Sequence, residues 1–202
     1  MDSVESASAP PKERERFVAE RDRLRNESEE ASQRAQQILE GGRVSPWDAN
    51  FRSVMLTRGN IIFGREVGAT NEEKKAYYGQ ALAAYQEASE LFPDDPRPFL
   101  YQGLCHERLA GIAQSLEEKQ KEFALGKASL DSALERSTAS EDYDPSLPYR
   151  ALASLYMHVN DYRSALDALR NAQRLNPESA AVSQIQRDIQ SLEQYLGQAA
   201  PR

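Results

Sequence analysis

Hydrophobic residues recur at steps of three and four positions along most of this 202-residue chain. This spacing is typical of helices with one apolar face, because an α-helix completes a turn in about 3.6 residues. The pattern extends from Trp47 to Leu196 and is interrupted at helix-capping residues and prolines. It therefore predicts an all-α protein with almost no strand.

The segment Pro145–Pro177 has the most regular pattern. Ala153 and Ala165 are small enough for two antiparallel helices to approach closely, while larger side chains would fill the space around that contact. The closing proline cannot continue a helix. The positions that define this unit are Tyr149, Leu152, Ala153, Tyr156, Ala165, Leu169 and Ala172. They predict a helical hairpin.

These residues and their spacing resemble a tetratricopeptide repeat (TPR), of which nearly every signature position is present. The resemblance implies a right-handed α-solenoid of about three helix pairs, in which stacked units replace a single central core. Proteins of this family bind other proteins. The resemblance therefore also implies a binding scaffold without a reaction of its own.

Two weaker units precede this one. The nearer unit begins near Pro96 and has Gly103 and Gly126 at the close helix contact, and the earlier unit pairs Gly59 with Ala81. Together the patterns divide the chain into a disordered tail (1–11), a charged N-terminal helix (12–42), three repeats (about 45–95, 96–140 and 144–177), a capping helix (178–197) and a frayed tail (198–202).

The two earlier repeats are ten or eleven residues longer than the last one. Residues 70–73 and 115–118 both have the S/T-x-x-E form of a capping box, which predicts that each second helix begins early. Two hairpins would then protrude on one edge of the array, with Val67 and Ile112 as candidate edge contacts. Either these hairpins enlarge the core, or the edge itself binds a partner.

The charged N-terminal helix has a thin apolar stripe, since Phe17, Leu24, Ala31 and Ile38 lie seven residues apart. A coiled coil would need a second apolar stripe, so the pattern favours a helix that lies on the array. Self-association into a homo-oligomer through this helix is the alternative.

In TPR proteins the concave groove is lined by fixed positions of the first helix of each repeat. The resemblance assigns this role to Leu56, Asn60, Phe63, Arg97, Leu100, Leu104, Arg108, Arg150, Ser154, Met157 and His158, and also to Ser53, Glu107 and Leu147. The apolar members would contact an apolar face of a bound peptide or helix, and the arginines would pair with carboxylates.

Two further expectations concern this groove. The clamp that holds chaperone C termini in some family members is not predicted, because Asn60 is the one clamp residue present. The groove is either open to a partner or filled by the chain's own helix, Glu13–Leu39.

No catalytic residue, metal ligand or cofactor site is predicted. His106 and His158 are the only histidines and lack a zinc-type spacing, and Cys105 fits a buried structural thiol. The net charge is −7, with basic and acidic residues interleaved, so a nucleic-acid partner is not predicted. The longest charge-free run, 76–86, is about half the 20 residues of a membrane span, so no transmembrane segment is expected.

The sequence therefore predicts a cytoplasmic, non-catalytic adaptor or subunit of a larger complex that binds a peptide, helix or subunit of another protein. The alternative is a membrane-tethered envelope lipoprotein that acts as an assembly or accessory factor. In that case Met1 replaces an anchoring cysteine, residues 2–11 are a spacer, and the protein is periplasmic or membrane-anchored. Arginine outnumbers lysine nineteen to six, which favours a bacterial source.

Overall fold

The computed structural model describes residues 49–137, 143–177 and 181–199, together with six separate residues nearer the N terminus. The three ranges contain seven α-helices, one short 3₁₀-helix and no strand. The all-α prediction is confirmed. The predicted disordered tail (1–11) and most of the charged N-terminal helix concern residues outside these ranges. Of the predicted frayed tail (198–202), residues 198 and 199 are helical, and residues 200–202 lie outside the described ranges.

The helices follow one another with short connections. Their bounds are α1 Ala49–Phe63, the 3₁₀-helix Gly64–Glu66, α2 Asn71–Leu91, α3 Pro96–Ile112, α4 Leu116–Arg136, α5 Ser146–His158, α6 Tyr162–Leu175 and α7 Val182–Ala199. Each helix packs on the next one along the chain, and α3 also packs on α5 and touches α1. The helices α1, α3 and α5 are therefore neighbours, and we call the surface that they form the first-helix face.

The starts of α2 and α4 follow from their capping residues. Thr70 accepts a hydrogen bond from the Glu73 amide, and the Glu73 carboxylate accepts one from the Thr70 amide, which completes a capping box. Ser115 likewise accepts from the Glu118 amide, but the Glu118 carboxylate bonds the amide of Gln114, one residue further back. The second motif therefore also satisfies two backbone amides at the start of α4, but its carboxylate accepts from Gln114 instead of the capping residue Ser115.

Glycines allow the close contacts within the first two hairpins. A Cβ atom on Gly59 would clash with the Tyr85 ring, and one on Gly103 would lie 2.5 Å from the Leu130 side chain. In the third hairpin Ala153 and Ala165 are both buried. The small residues thus lie where large side chains of a neighbouring helix need space.

The core extends through the helix pairs. Its largest cluster includes residues of α3–α6 and is continued by Ile185, Ile189 and Leu192 of α7, which packs on α6. A smaller cluster surrounds Tyr85 and includes Cys105. Among the described residues, no helix has the combination of length and apolar composition that crossing a membrane requires.

The described residues of the N-terminal segment are helical and exposed. They are Ala19, Asp22, Arg23, Asn26, Glu30 and Gln37. Asn26 contacts the array, since Arg65 Nη2 donates a hydrogen bond to Asn26 Oδ1 at 3.1 Å. This contact places Asn26 beside the 3₁₀-helix that follows α1.

Candidate functional site

Several apolar residues expected in the groove are part of the core. Leu56 is 6% exposed and Leu100 is 4% exposed, while Leu104 is half-buried and packs against the largest cluster. Phe63 packs against Tyr78 with ring centroids 5.5 Å apart. Met157, at 39% exposure, is the most accessible large apolar side chain of the expected set. The first-helix face is therefore more polar than the resemblance implies.

A buried polar cluster joins α3 to α5. Glu107 of α3 is 5% exposed, and its Oε1 accepts a hydrogen bond from Ser154 Oγ at 2.6 Å and lies 3.0 Å from His158 Nε2. Ser154 and His158 are four residues apart on α5, so both point toward the same carboxylate. Gly111 leaves room for the imidazole, because a Cβ there would lie 3.1 Å from His158 Cε1.

The ionisation of Glu107 follows from these contacts. Burial alone favours the neutral carboxyl group, but the bonds with His158 and Ser154 and the nearby charge of Arg108 favour the carboxylate. Together they lower the pKa of Glu107 below its usual value of 4.5. Because an ionised carboxylate only accepts hydrogen bonds, His158 Nε2 carries the proton of this contact.

The hydrogen bonds of Ser154 and His158 connect α5 to α3. A serine nucleophile is activated by a hydrogen bond to a base such as histidine, whereas the Ser154 hydroxyl donates to Glu107 instead. His158 Nε2 also faces Glu107. In the part of the chain that the structure describes, no group of three or more His, Cys, Asp and Glu residues is arranged to hold a metal ion.

The other titratable core residues have local partners or are inaccessible. His106 Nδ1 lies 2.7 Å from Glu122 Oε2 of α4. Cys105 is 0% exposed, and burial raises the pKa of its thiol. A neutral, inaccessible thiol is unreactive, as expected for a structural cysteine.

Arg97 and Arg52 share one buried carboxylate at the start of α3. Asp95, whose side chain is 2% exposed, caps α3 and lies 2.6 Å from Arg97 Nη2 and 3.6 Å from Arg52 Nε. The Arg52 guanidinium also lies over the Phe92 ring. The structure thus places Arg97 at the start of a helix, beside the carboxylate that caps α3.

Arg108 and Arg150 lie further along the first helices, and Arg108 is more exposed than Arg97. The Arg108 side chain is 50% exposed, and its Nε lies 3.6 Å from Glu107 Oε2. Arg150 is half-buried on α5, and its charge contributes to lowering the pKa of Asp144. Asn60 is exposed on α1, and its Oδ1 accepts a hydrogen bond from the Tyr85 hydroxyl at 2.7 Å.

Acidic residues are unevenly distributed among the helices. The helices α1, α3 and α5 together contain five arginines and one acidic residue, the buried Glu107. The helices α2 and α4 contain nine acidic and six basic residues. The helices α1, α3 and α5 therefore contribute no exposed acidic side chain to the first-helix face.

The expected edge contacts differ in exposure. Val67 is 60% exposed in the connection before α2, whereas Ile112 at the end of α3 is half-buried. Leu116, at the start of α4, is 68% exposed and was not predicted as an edge residue. The charge of Lys75 on α2 contributes to lowering the pKa of Glu118 on α4, so the starts of these two helices lie near each other.

Comparison of the chain with protein-family models gives no match, and a search of curated protein sequences also gives none.

Proposed function

We propose that this chain is a non-catalytic scaffold of the TPR type that binds a segment of a partner protein on its first-helix face. The observation that supports this proposal most is the packing of α3, which contacts its hairpin partner α4 and also α5. A surface built from successive first helices is the binding surface implied by the TPR resemblance. The polar residues Asn60, Arg108 and Arg150 lie on these helices.

The glycine and alanine positions support the same proposal. Gly59, Gly103 and Ala153 occupy corresponding places on α1, α3 and α5, and each is buried at a helix contact. A recurrence of small residues at helix contacts is a sequence property of stacked helical hairpins. The chain thus has the local features of three repeats, although the first two have longer second helices than the third.

Site-specific photo-crosslinking tests this function. A benzophenone amino acid replaces Met157 on the first-helix face, Leu116 at the hairpin edge or Leu175 at the end of α6, three side chains that are 39%, 68% and 43% exposed. We expect a protein partner from the native cells to be crosslinked from position 157 and not from position 175. A partner crosslinked from position 116 alone would assign binding to the hairpin edge and contradict the proposal.

A further inference from the structure

We infer that Met157 is a site of reversible oxidation, and that conversion of its thioether to the sulfoxide weakens binding of a protein partner on the first-helix face. The inference rests on the proposed function and specifies how binding on that face is regulated. Its basis is the accessibility of sulfur in the fold. In the part of the chain that the structure describes, three side chains contain sulfur, namely Met55, Cys105 and Met157.

Two of these three sulfur atoms are inaccessible. Met55 and Cys105 are both 0% exposed, and Met55 forms a small core cluster with Ala88 and Phe92. Cys105 also stays in its unreactive neutral form, because burial raises the pKa of its thiol. Met157 of α5, in contrast, is 39% exposed. A small oxidant in the solvent therefore reaches Met157 before it reaches the other two sulfur atoms.

The reaction at Met157 is the transfer of one oxygen atom from a peroxide. With hydrogen peroxide, a lone pair of the thioether sulfur attacks one oxygen, the O–O bond breaks, and an S–O bond forms. The departing hydroxide takes the remaining proton and leaves as water, so the sulfur is oxidised by two electrons and the peroxide is reduced. The change is reversible, because reductases convert the sulfoxide back to the thioether.

The position of Met157 connects this change to binding. Of the other apolar residues of the expected groove, Leu56 and Leu100 are buried in the core and Phe63 packs against Tyr78. Met157 is therefore the most accessible large apolar side chain of that set. A sulfoxide is polar, and burying it against an apolar surface of a partner costs free energy. Oxidation thus removes the main apolar contact that the expected groove offers.

The fold itself should tolerate the sulfoxide. The described core clusters do not include Met157, and its neighbours Ser154 and His158 hold α5 to α3 through Glu107. An oxygen added to a partly exposed side chain can remain in contact with water. Oxidation of Met55 would instead place a polar group in the core and destabilise the fold. Oxidation of Met157 therefore changes the binding surface and leaves the array intact.

Peptide mapping by mass spectrometry tests the selectivity of the reaction. The folded full chain is treated with dilute hydrogen peroxide, and Met55 serves as the internal control. We expect Met157 to be oxidised at least about tenfold faster than Met55 in the folded chain, and at a similar rate in denaturant. Circular dichroism should show unchanged helix content after oxidation of Met157. Equal rates of oxidation in the folded chain would overturn the inference.

The effect on binding is measured with the protein that is crosslinked from position 157. Its affinity for the unlabelled chain is compared before and after peroxide treatment, with the peroxide removed before mixing. We expect the affinity to fall by at least about threefold and to recover after treatment with a methionine sulfoxide reductase. Met157→Leu is the matched control, since it keeps an apolar side chain without sulfur and should bind equally well before and after treatment.

Three outcomes separate the inference from the proposed function. If oxidation of Met157 leaves the affinity unchanged, the face binds its partner without this contact and the inference is wrong. If peroxide weakens binding of Met157→Leu as much as that of the wild-type chain, another residue is responsible and the inference is again wrong. If no partner is crosslinked from position 157, the proposed function fails, and the regulation inferred from it fails as well.

Discussion

His158 Nε2 lies 3.0 Å from Glu107 Oε1, although 51 residues separate the two in the chain. The contact joins α3 to α5 and not the two helices of one hairpin. Ser154, one turn earlier on α5, donates to the same oxygen. A single buried carboxylate thus connects two successive first helices and helps to fix their relative position.

Replacing Glu107 by Ala should destabilise the fold by about 1–3 kcal/mol, because hydrogen bonds to a charged acceptor contribute this much and two donors lose their partner. Urea denaturation followed by circular dichroism measures the change. Glu135→Ala is the control, since that side chain is 77% exposed and its loss should change stability by less than about 0.5 kcal/mol. Equal effects of the two changes would contradict the role of the cluster.

A double-mutant cycle with Ser154→Ala tests whether the contact itself is responsible. If Glu107 and Ser154 act through their hydrogen bond, the two changes should be non-additive by about 0.5–3 kcal/mol. Glu107→Ala paired with an exposed change on α7, such as Gln186→Ala, should be additive. If the changes in the free energy of unfolding are additive in both cycles, the contribution of Ser154 to stability does not depend on Glu107.

The stability of the fold should decrease at acidic pH, and the lowered pKa of Glu107 gives the direction of this change. The pKa of Glu107 is lower in the folded protein than its usual value of 4.5, so the unfolded chain takes up a proton first as the pH falls. The stabilisation by the carboxylate is therefore fully present above about pH 4.5 and is lost as the pH falls through the folded-state pKa. Urea midpoints of the wild-type chain and Glu107→Gln should converge over this range. Parallel curves would contradict the lowered pKa.

The helix contacts could be predicted because each depends on a local property of the chain. Gly59, Gly103 and Ala153 stand at repeated positions, and a small residue in an apolar stripe indicates close helix packing wherever it occurs. The capping motif at Thr70 is equally local, since its partner is three residues away. The all-α class and the early start of α2 therefore follow from short stretches of sequence.

The character of the site could not be predicted in this way. Glu107 and His158 were both assigned to the groove through the TPR resemblance, but their bond depends on how α3 and α5 are rotated against each other, which the spacing within each helix does not specify. Leu100 was also assigned to the groove, but its side chain is buried in the largest core cluster.

The buried thiol offers a simple test of the core. Cys105 is 0% exposed, and burial raises the pKa of its thiol, so both access and the thiolate form are suppressed. An aromatic disulfide reagent should react with the native protein only as fast as the fold opens, and rapidly in denaturant. Fast reaction under native conditions would contradict the packing of Cys105 beside Leu56 and Tyr85.

Two glycine substitutions distinguish a close contact from an open helix surface. Gly103→Ala places a Cβ atom 2.5 Å from Leu130, and the resulting overpacking should cost about 1–3 kcal/mol despite the better helix propensity of alanine. Gly79 lies inside α2 with no other atom within 4 Å of an added Cβ, so Gly79→Ala should stabilise the protein by about 0.5–1 kcal/mol. Thermal and urea unfolding measure both variants. The two substitutions should change the free energy of unfolding in opposite directions. A stabilising Gly103→Ala would show that α3 and α4 do not approach each other as closely as the structure places them.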